Sequence, residues 1–199
     1  KGKLDERRLR VLYLEGTKST VVIVSSLAVF LFAMGTDVLA LWVGPQYGKE
    51  GPVLHPLIVF FLVVGITRSG GNLLVATGRA TARMYIAILQ IASNLTLCVA
   101  LAKLWGPRGI ALGNAFSVIA VNGFVLTPYV CRELGIPLRQ FLRFSLLPAI
   151  VPAILTAGYL YLGRSCCPIS SWLGAGFYLG TGALLFGVTY VVFGLAQSE

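Results

Sequence analysis

Residues 109–131 read GIALGNAFSVIAVNGFVLTPYVC, twenty-three consecutive positions without an Asp, Glu, Lys or Arg. At 1.5 Å of rise per residue the run reaches about 35 Å as an α-helix, enough to cross a hydrocarbon core of about 30 Å. Its apolar residues are continuous and do not alternate with polar ones, which argues against a barrel strand. Lipid offers backbone N–H and C=O groups no partner, so a run of this kind must form an α-helix. The stretch reads as a membrane span.

Five more runs free of those four residue types flank it: Ser19–Thr36, Gly51–Thr67, Met84–Ala102, Phe144–Gly163 and Ser165–Ser198. The first extends through Asp37 to Val43 and the second through Arg68 toward Ala76. The last opens on a polar turn, Ser165-Cys166-Cys167-Pro168, which sets its helix start near Ile169. The expected fold is an all-α polytopic transmembrane bundle of six spans, at about 19–43, 52–76, 84–104, 109–131, 144–163 and 169–197. A basic segment, 1–18, precedes it. Composition agrees: of the 199 residues 57% are hydrophobic and 12% charged, whereas soluble domains carry about a quarter charged residues.

Charge placement orients the bundle. Lys1, Lys3, Arg7, Arg8, Arg10 and Lys18 precede the first span. Arg68, Arg79 and Arg83 fall at the connection between the second and third spans, and Arg132, Arg139 and Arg143 at that between the fourth and fifth. The opposite side holds only Lys49, Lys103, Arg108 and Arg164. The side rich in Lys and Arg is expected in the cytoplasm, with both termini. The net charge of +9 then reflects topology and anionic membrane lipid, and no nucleic acid partner is expected, because no region outside the spans is large enough for a basic domain. Leu4, Leu9, Val11, Leu12 and Leu14 among the charges of 1–18 fit either an interfacial helix or a solvated connection.

Helices in lipid associate through small residues at four-residue spacing and through interhelical hydrogen bonds. Gly109, Gly113 and Ser117 form one such ridge, Gly176 and Gly180 another, and Gly65 with Ser69 a third. Pro128, Pro148 and Pro152 each remove a donor and crowd the preceding turn, so a bend or a loosened turn is expected at each. Polar residues within spans are costly unless they face protein or water. Gln90 and Asn94 share a helix face, as do Asn114 and Asn122. These amides serve either interhelical hydrogen bonding or a substrate pathway. Arg68, with Asn72 one turn on, either snorkels to the boundary or borders a water-filled cavity and meets an anion such as a diphosphate. Asp37 reads as a boundary carboxylate, with a proton or sodium site as the alternative. His55 has no second ligand at metal spacing, so no metal and no cofactor is expected. Cys166 and Cys167 suit a vicinal disulfide or pairing with another segment, while Cys98 and Cys131 have no evident partner. No paired carboxylates, Ser-His-Asp set or phosphate-cradling loop supports catalysis.

Three stretches carry a family resemblance: Leu41-Trp42-Val43-Gly44-Pro45-Gln46-Tyr47, then Leu74-Val75-Ala76-Thr77-Gly78-Arg79-Ala80, then Trp105 through Gly113. In their order and spacing against the spans, from about Leu9 to Arg143, they resemble the C-terminal part of the polysaccharide (O-antigen type) flippases of the multidrug/oligosaccharidyl-lipid/polysaccharide exporter superfamily. Thr77, Gly78 and Arg79 match the family's cytoplasmic turn. The resemblance implies two helical lobes around a cavity that alternates its opening to move a lipid-linked polysaccharide precursor across a bacterial or archaeal inner membrane. These six spans would be the last six of a longer protein of twelve to fourteen, and an N-terminal lobe of the same protein would be their partner. The competing expectations are a drug antiporter of the same superfamily, a membrane-embedded glycosyl- or acyltransferase, and a non-transporting scaffold.

Overall fold

The computed structural model describes residues 2–166 and 171–196. Six helices hold most of them: α1 (Gly2–Trp42), α2 (Gly51–Ala76), α3 (Ala80–Trp105), α4 (Pro107–Glu133), α5 (Leu138–Ser165) and α6 (Trp172–Ala196). Each is long and apolar enough to cross a membrane, and no strand occurs among the described residues. The chain is an all-α six-span membrane bundle. Its outward surface is as greasy as its core: Ile23, Leu95, Phe124 and Leu173 are all exposed, which suits lipid and not water. The helix start expected at Ile169 and the pairing of Cys166 with Cys167 fall outside the described residues.

The basic segment 2–18 is not a separate element. It continues α1 without a break, because Leu, Arg, Lys and Glu are good helix formers and no Pro or Gly cap intervenes before Lys18 except Gly16. At 41 residues α1 runs to about 60 Å and exceeds the bilayer. It is also the middle of the bundle. On one side Gly65 of α2 lies against Val24 and Gly35 against Leu54 of α2. On the other, Val21 packs with Ala149 of α5 and Phe186 of α6. Nearer the opposite end Phe30 and Met34 meet Leu160 of α5. The helices α5 and α6 form a hairpin in which Tyr178 Oη donates to the Gly163 carbonyl at 2.9 Å. The largest buried cluster sits at the basic end, where Tyr13 stacks on Phe141 at 5.5 Å between ring centroids.

At the basic end α2 and α4 stop in the same way. Gly78, with φ +76°, lets the Arg79 N–H reach the Leu74 carbonyl at 2.8 Å and its own N–H reach Val75 at 3.1 Å. Gly135, with φ +61°, repeats this with Ile136 to Cys131 at 2.8 Å and its own N–H to Arg132 at 3.1 Å. Both are paired C-terminal caps that need a residue without Cβ in the left-handed region.

Of Pro128, Pro148 and Pro152, two are accompanied by the expected loosened turn. Residues Ile119–Leu126 form a π-helical stretch, closed by the Thr127 N–H on the Asn122 carbonyl, directly before Pro128. Residues Leu142–Leu146 form another, closed by Leu147 on Leu142, directly before Pro148. Slipping the ladder to i→i−5 makes room for a ring that would otherwise strike the carbonyl four residues back. Pro152 lies inside regular α-helix.

Candidate functional site

The packing of α3 against α4 brings the expected amides together. Gly109 lies so close to α3 that a Cβ there would stand 1.9 Å from the Leu101 carbonyl oxygen, and one at Gly113 would stand 2.8 Å from Cys98 Cα. The ridge of Gly109, Gly113 and Ser117 is thus the contact surface itself. With the backbones this near, short side chains can bridge. Asn94 Nδ2 donates to Asn114 Oδ1 at 2.7 Å and to Ser117 Oγ at 3.0 Å. Gln90 Nε2 donates to the same Ser117 Oγ at 3.2 Å, and Ser117 donates to the Asn114 carbonyl at 2.9 Å. Ser117 is fully buried. Of this set only Gln90 Oε1 is a buried atom without a partner among the described residues.

Asn122 joins a different helix. Its Nδ2 donates to Thr67 Oγ1 of α2 at 3.2 Å, and Thr67 in turn donates to the Val63 carbonyl at 2.7 Å. Because Asn122 belongs to the π-helical stretch, its carbonyl also accepts from Thr127 Oγ1 at 2.8 Å. A buried polar group needs such partners in lipid, and a hydroxyl one residue before Arg68 supplies one. Thr67 carried no signal in the sequence beyond being a lone hydroxyl in an apolar run.

Arg68 and Asn72 stand apart from this network. Both are exposed on α2, and neither has a hydrogen bond or ion pair among the described residues. The contacts of Gly65 with Val24 and of Gly35 with Leu54 fix the antiparallel register of α1 and α2. That register sets Arg68 level with about Val21, one turn deeper than Lys18 and ~12 Å from the end of its own helix.

The turn at Thr77–Arg79 makes a contact the sequence did not announce. Arg79 bridges to Glu133 at the end of α4, Nη2 to Oε2 at 2.5 Å and Nη1 to Oε1 at 2.8 Å. A cavity of about 240 Å³ lies beneath, lined by Arg10, Thr77, Arg79 and Glu133 over Leu73 and Val130. Thr77 Oγ1 donates into its own helix, to Leu73 at 2.9 Å.

At the opposite end Asp37 is held by Arg164 of α5, Nε to Oδ2 at 2.8 Å and Nη2 to Oδ1 at 3.1 Å. The same guanidinium donates to the Ala33 carbonyl at 3.0 Å and to Thr36 Oγ1 at 3.3 Å. Three hydrogen-bond acceptors on one turn of α1, with the Asp37 charge, thus engage one side chain of α5. His55 stacks on Phe32 with 4.3 Å between ring centroids. Among the described residues no three of His, Cys, Asp and Glu gather at metal-binding distance. Cys98 and Cys131 are free thiols. No protein-family profile, curated protein or solved structure matches this chain.

Proposed function

We propose that this bundle is the second lobe of an alternating-access transporter for a lipid-linked oligosaccharide, with its basic end in the cytoplasm of a bacterial or archaeal cell and no covalent chemistry. The observation that carries the reading is the state of Arg68 and Asn72. An arginine costs about 2.5–3.5 kcal/mol at a helix centre and less toward the boundary. Such a residue, held one turn below the level of Lys18 with no internal partner, suits a helix face that borders water and a second lobe. The forked donors of a guanidinium match a diphosphate, the chemical link between lipid and sugar in such precursors. The amides of α3 and α4 point the other way: their partners, Asn114, Ser117 and Thr67, all lie within the bundle, so they tie α2, α3 and α4 together while the lobe moves against its counterpart.

The antiporter alternative has weaker support. It wants a free carboxylate for a cation, and Asp37, the acidic residue nearest the membrane interior, is taken up by Arg164. The test is export of surface polysaccharide by the full-length protein. Arg68→Ala is expected to lower export at least tenfold, with the protein still in the membrane at its normal level and melting temperature, and Arg68→Lys to recover part of it. Unchanged export in Arg68→Ala would remove Arg68 from the pathway and the proposal with it.

A further inference from the structure

A second cleft at the basic end has no part in the transport reading. It is an open groove of about 500 Å³ between α1, α5 and α6, lined by Glu15, Lys18, Ser19, Val22, Ile23, Phe144 and Tyr190. Lys18 sits within it with Nζ 5.2 Å from the centre of the Phe144 ring and 5.8 Å from that of Tyr190. A Glu and a Lys three apart on a helix ordinarily pair. Here no ion pair joins them, and neither has a charged partner among the described residues. The ammonium is drawn onto two aromatic faces, and the carboxylate stands free one turn nearer the end of the helix.

We infer that this cleft seats one membrane aminophospholipid, with its phosphate on Lys18 and Ser19 and its primary amine on Glu15. The order of groups along α1 carries the inference. From Lys18 to Trp42 the helix rises ~36 Å, so these residues bracket a bilayer, with Lys18 at one interface. Val22 and Ile23 lie one turn deeper than Lys18, at the level of acyl chains, and Ile23 is 68% exposed. Glu15 lies one turn shallower, toward water. An aminophospholipid presents the same sequence along the membrane normal: acyl chain, phosphate, then an amine on a short ethyl link. The rings of Phe144 and Tyr190 fix the Lys18 ammonium at the entrance by cation–π attraction, so little side-chain freedom is lost on binding. A free phosphate would use Lys18 and Ser19 and gain nothing from the apolar floor or from Glu15, which would repel it.

The test uses the protein in mild detergent supplied with equal amounts of phosphatidylethanolamine, phosphatidylglycerol and phosphatidylcholine, with retained lipid read by native mass spectrometry. One phosphatidylethanolamine per chain is expected to survive detergent exchange in preference to the other two. Lys18→Gln should lower retention of all three at least tenfold, Lys18→Arg should preserve it, and Glu15→Gln should abolish the preference while phosphatidylglycerol is still held. Glu15 is exposed, so its variant tests the inference even where Lys18→Gln fails to fold. Unchanged retention in Lys18→Gln, an unchanged preference in Glu15→Gln, or displacement of the lipid by millimolar inorganic phosphate would overturn the assignment.

Discussion

The same sequence patterns end in opposite fates on two parts of this molecule. On the α3–α4 hairpin the small residues Gly109 and Gly113 are pressed against a neighbouring backbone, and the polar pair Gln90 and Asn94 is bonded across the contact. On α6 the small residues Gly176 and Gly180 have nothing within 4 Å of where a Cβ would stand, and on α2 the polar pair Arg68 and Asn72 is exposed and unbonded. Spacing tells which residues share a helix face. Whether that face is occupied depends on the rest of the assembly. The α3–α4 hairpin satisfies its own small and polar residues, whereas the open faces leave theirs for lipid, water or a partner.

The strongest way to break this contrast is to fill the closed contact. Leucine at Gly109 would drive its Cβ into the Leu101 carbonyl, with backbone and not a flexible side chain in the way. Gly109→Leu is therefore expected to separate α3 from α4, strip the amides of their partners and abolish accumulation in the membrane, measured by immunoblot of the membrane fraction. Normal accumulation would mean that the two helices are held by something other than this ridge. Arg68→Ala, by contrast, should leave accumulation intact, since no bond within the bundle is lost.

A milder probe separates the two polar pairs. Asn94→Leu removes the donor to both Asn114 and Ser117. Interhelical hydrogen bonds in lipid contribute about 0.6 kcal/mol on average and at most about 1.7, so a loss of ~1–2 kcal/mol is expected, seen as a lower melting temperature in detergent. Asn72→Leu should leave the melting temperature unchanged, since no bond is lost. Equal shifts in the two variants would erase the distinction between a closed and an open pair.

The fold was legible because hydropathy adds residue by residue: six charge-free runs become six helices whatever their neighbours do. The α3–α4 ridge was legible for a related reason, since its glycines and amides lie at local, repeating intervals. The partners were not. Ser117 was readable as a small residue but not as the shared acceptor of Gln90 and Asn94, and Thr67 gave no sign that it would receive Asn122. Arg79 and Glu133 lie 54 positions apart, and Arg164 and Asp37 lie 127 apart. Such pairs are products of tertiary packing, and a single sequence holds no local trace of them. The prolines fall between these cases. Chemistry required relief before Pro128 and Pro148, but a π-helical slip, a kink or a bound hydroxyl would each have provided it.

The ion pair at the far end offers a test of intermediate size. Asp37 and Arg164 keep side-chain exposures of 25% and 38%, so solvent screening limits their attraction. Losing the carboxylate still leaves the Arg164 fork on the Ala33 carbonyl and Thr36. Asp37→Ala is expected to cost about 1–2 kcal/mol of stability, read from the melting temperature. The exchanged pair, Asp37→Arg with Arg164→Asp, should recover only part of it, because a carboxylate on α5 could not donate to Ala33 or Thr36. Full recovery would show that charge alone, and not the hydrogen bonds to Ala33 and Thr36, makes the polar contribution at this end of the α1–α5 contact.

The smallest expected effect is the sharpest comparison, because it uses one substitution at two places. Alanine in a helix interior is favoured over glycine by about 0.8–1 kcal/mol. At Gly180 the added methyl enters open space, so Gly180→Ala should be neutral or slightly stabilising in the isolated bundle. At Gly113 the same methyl would stand 2.8 Å from Cys98 Cα and N, and the separation of the helices should outweigh the gain in propensity. The difference in sign between the two melting shifts measures occupancy of the two ridges without reference to activity. A Gly180→Ala variant that is destabilised in cell membranes while neutral in detergent would show that another helix covers this face of α6 in the native assembly.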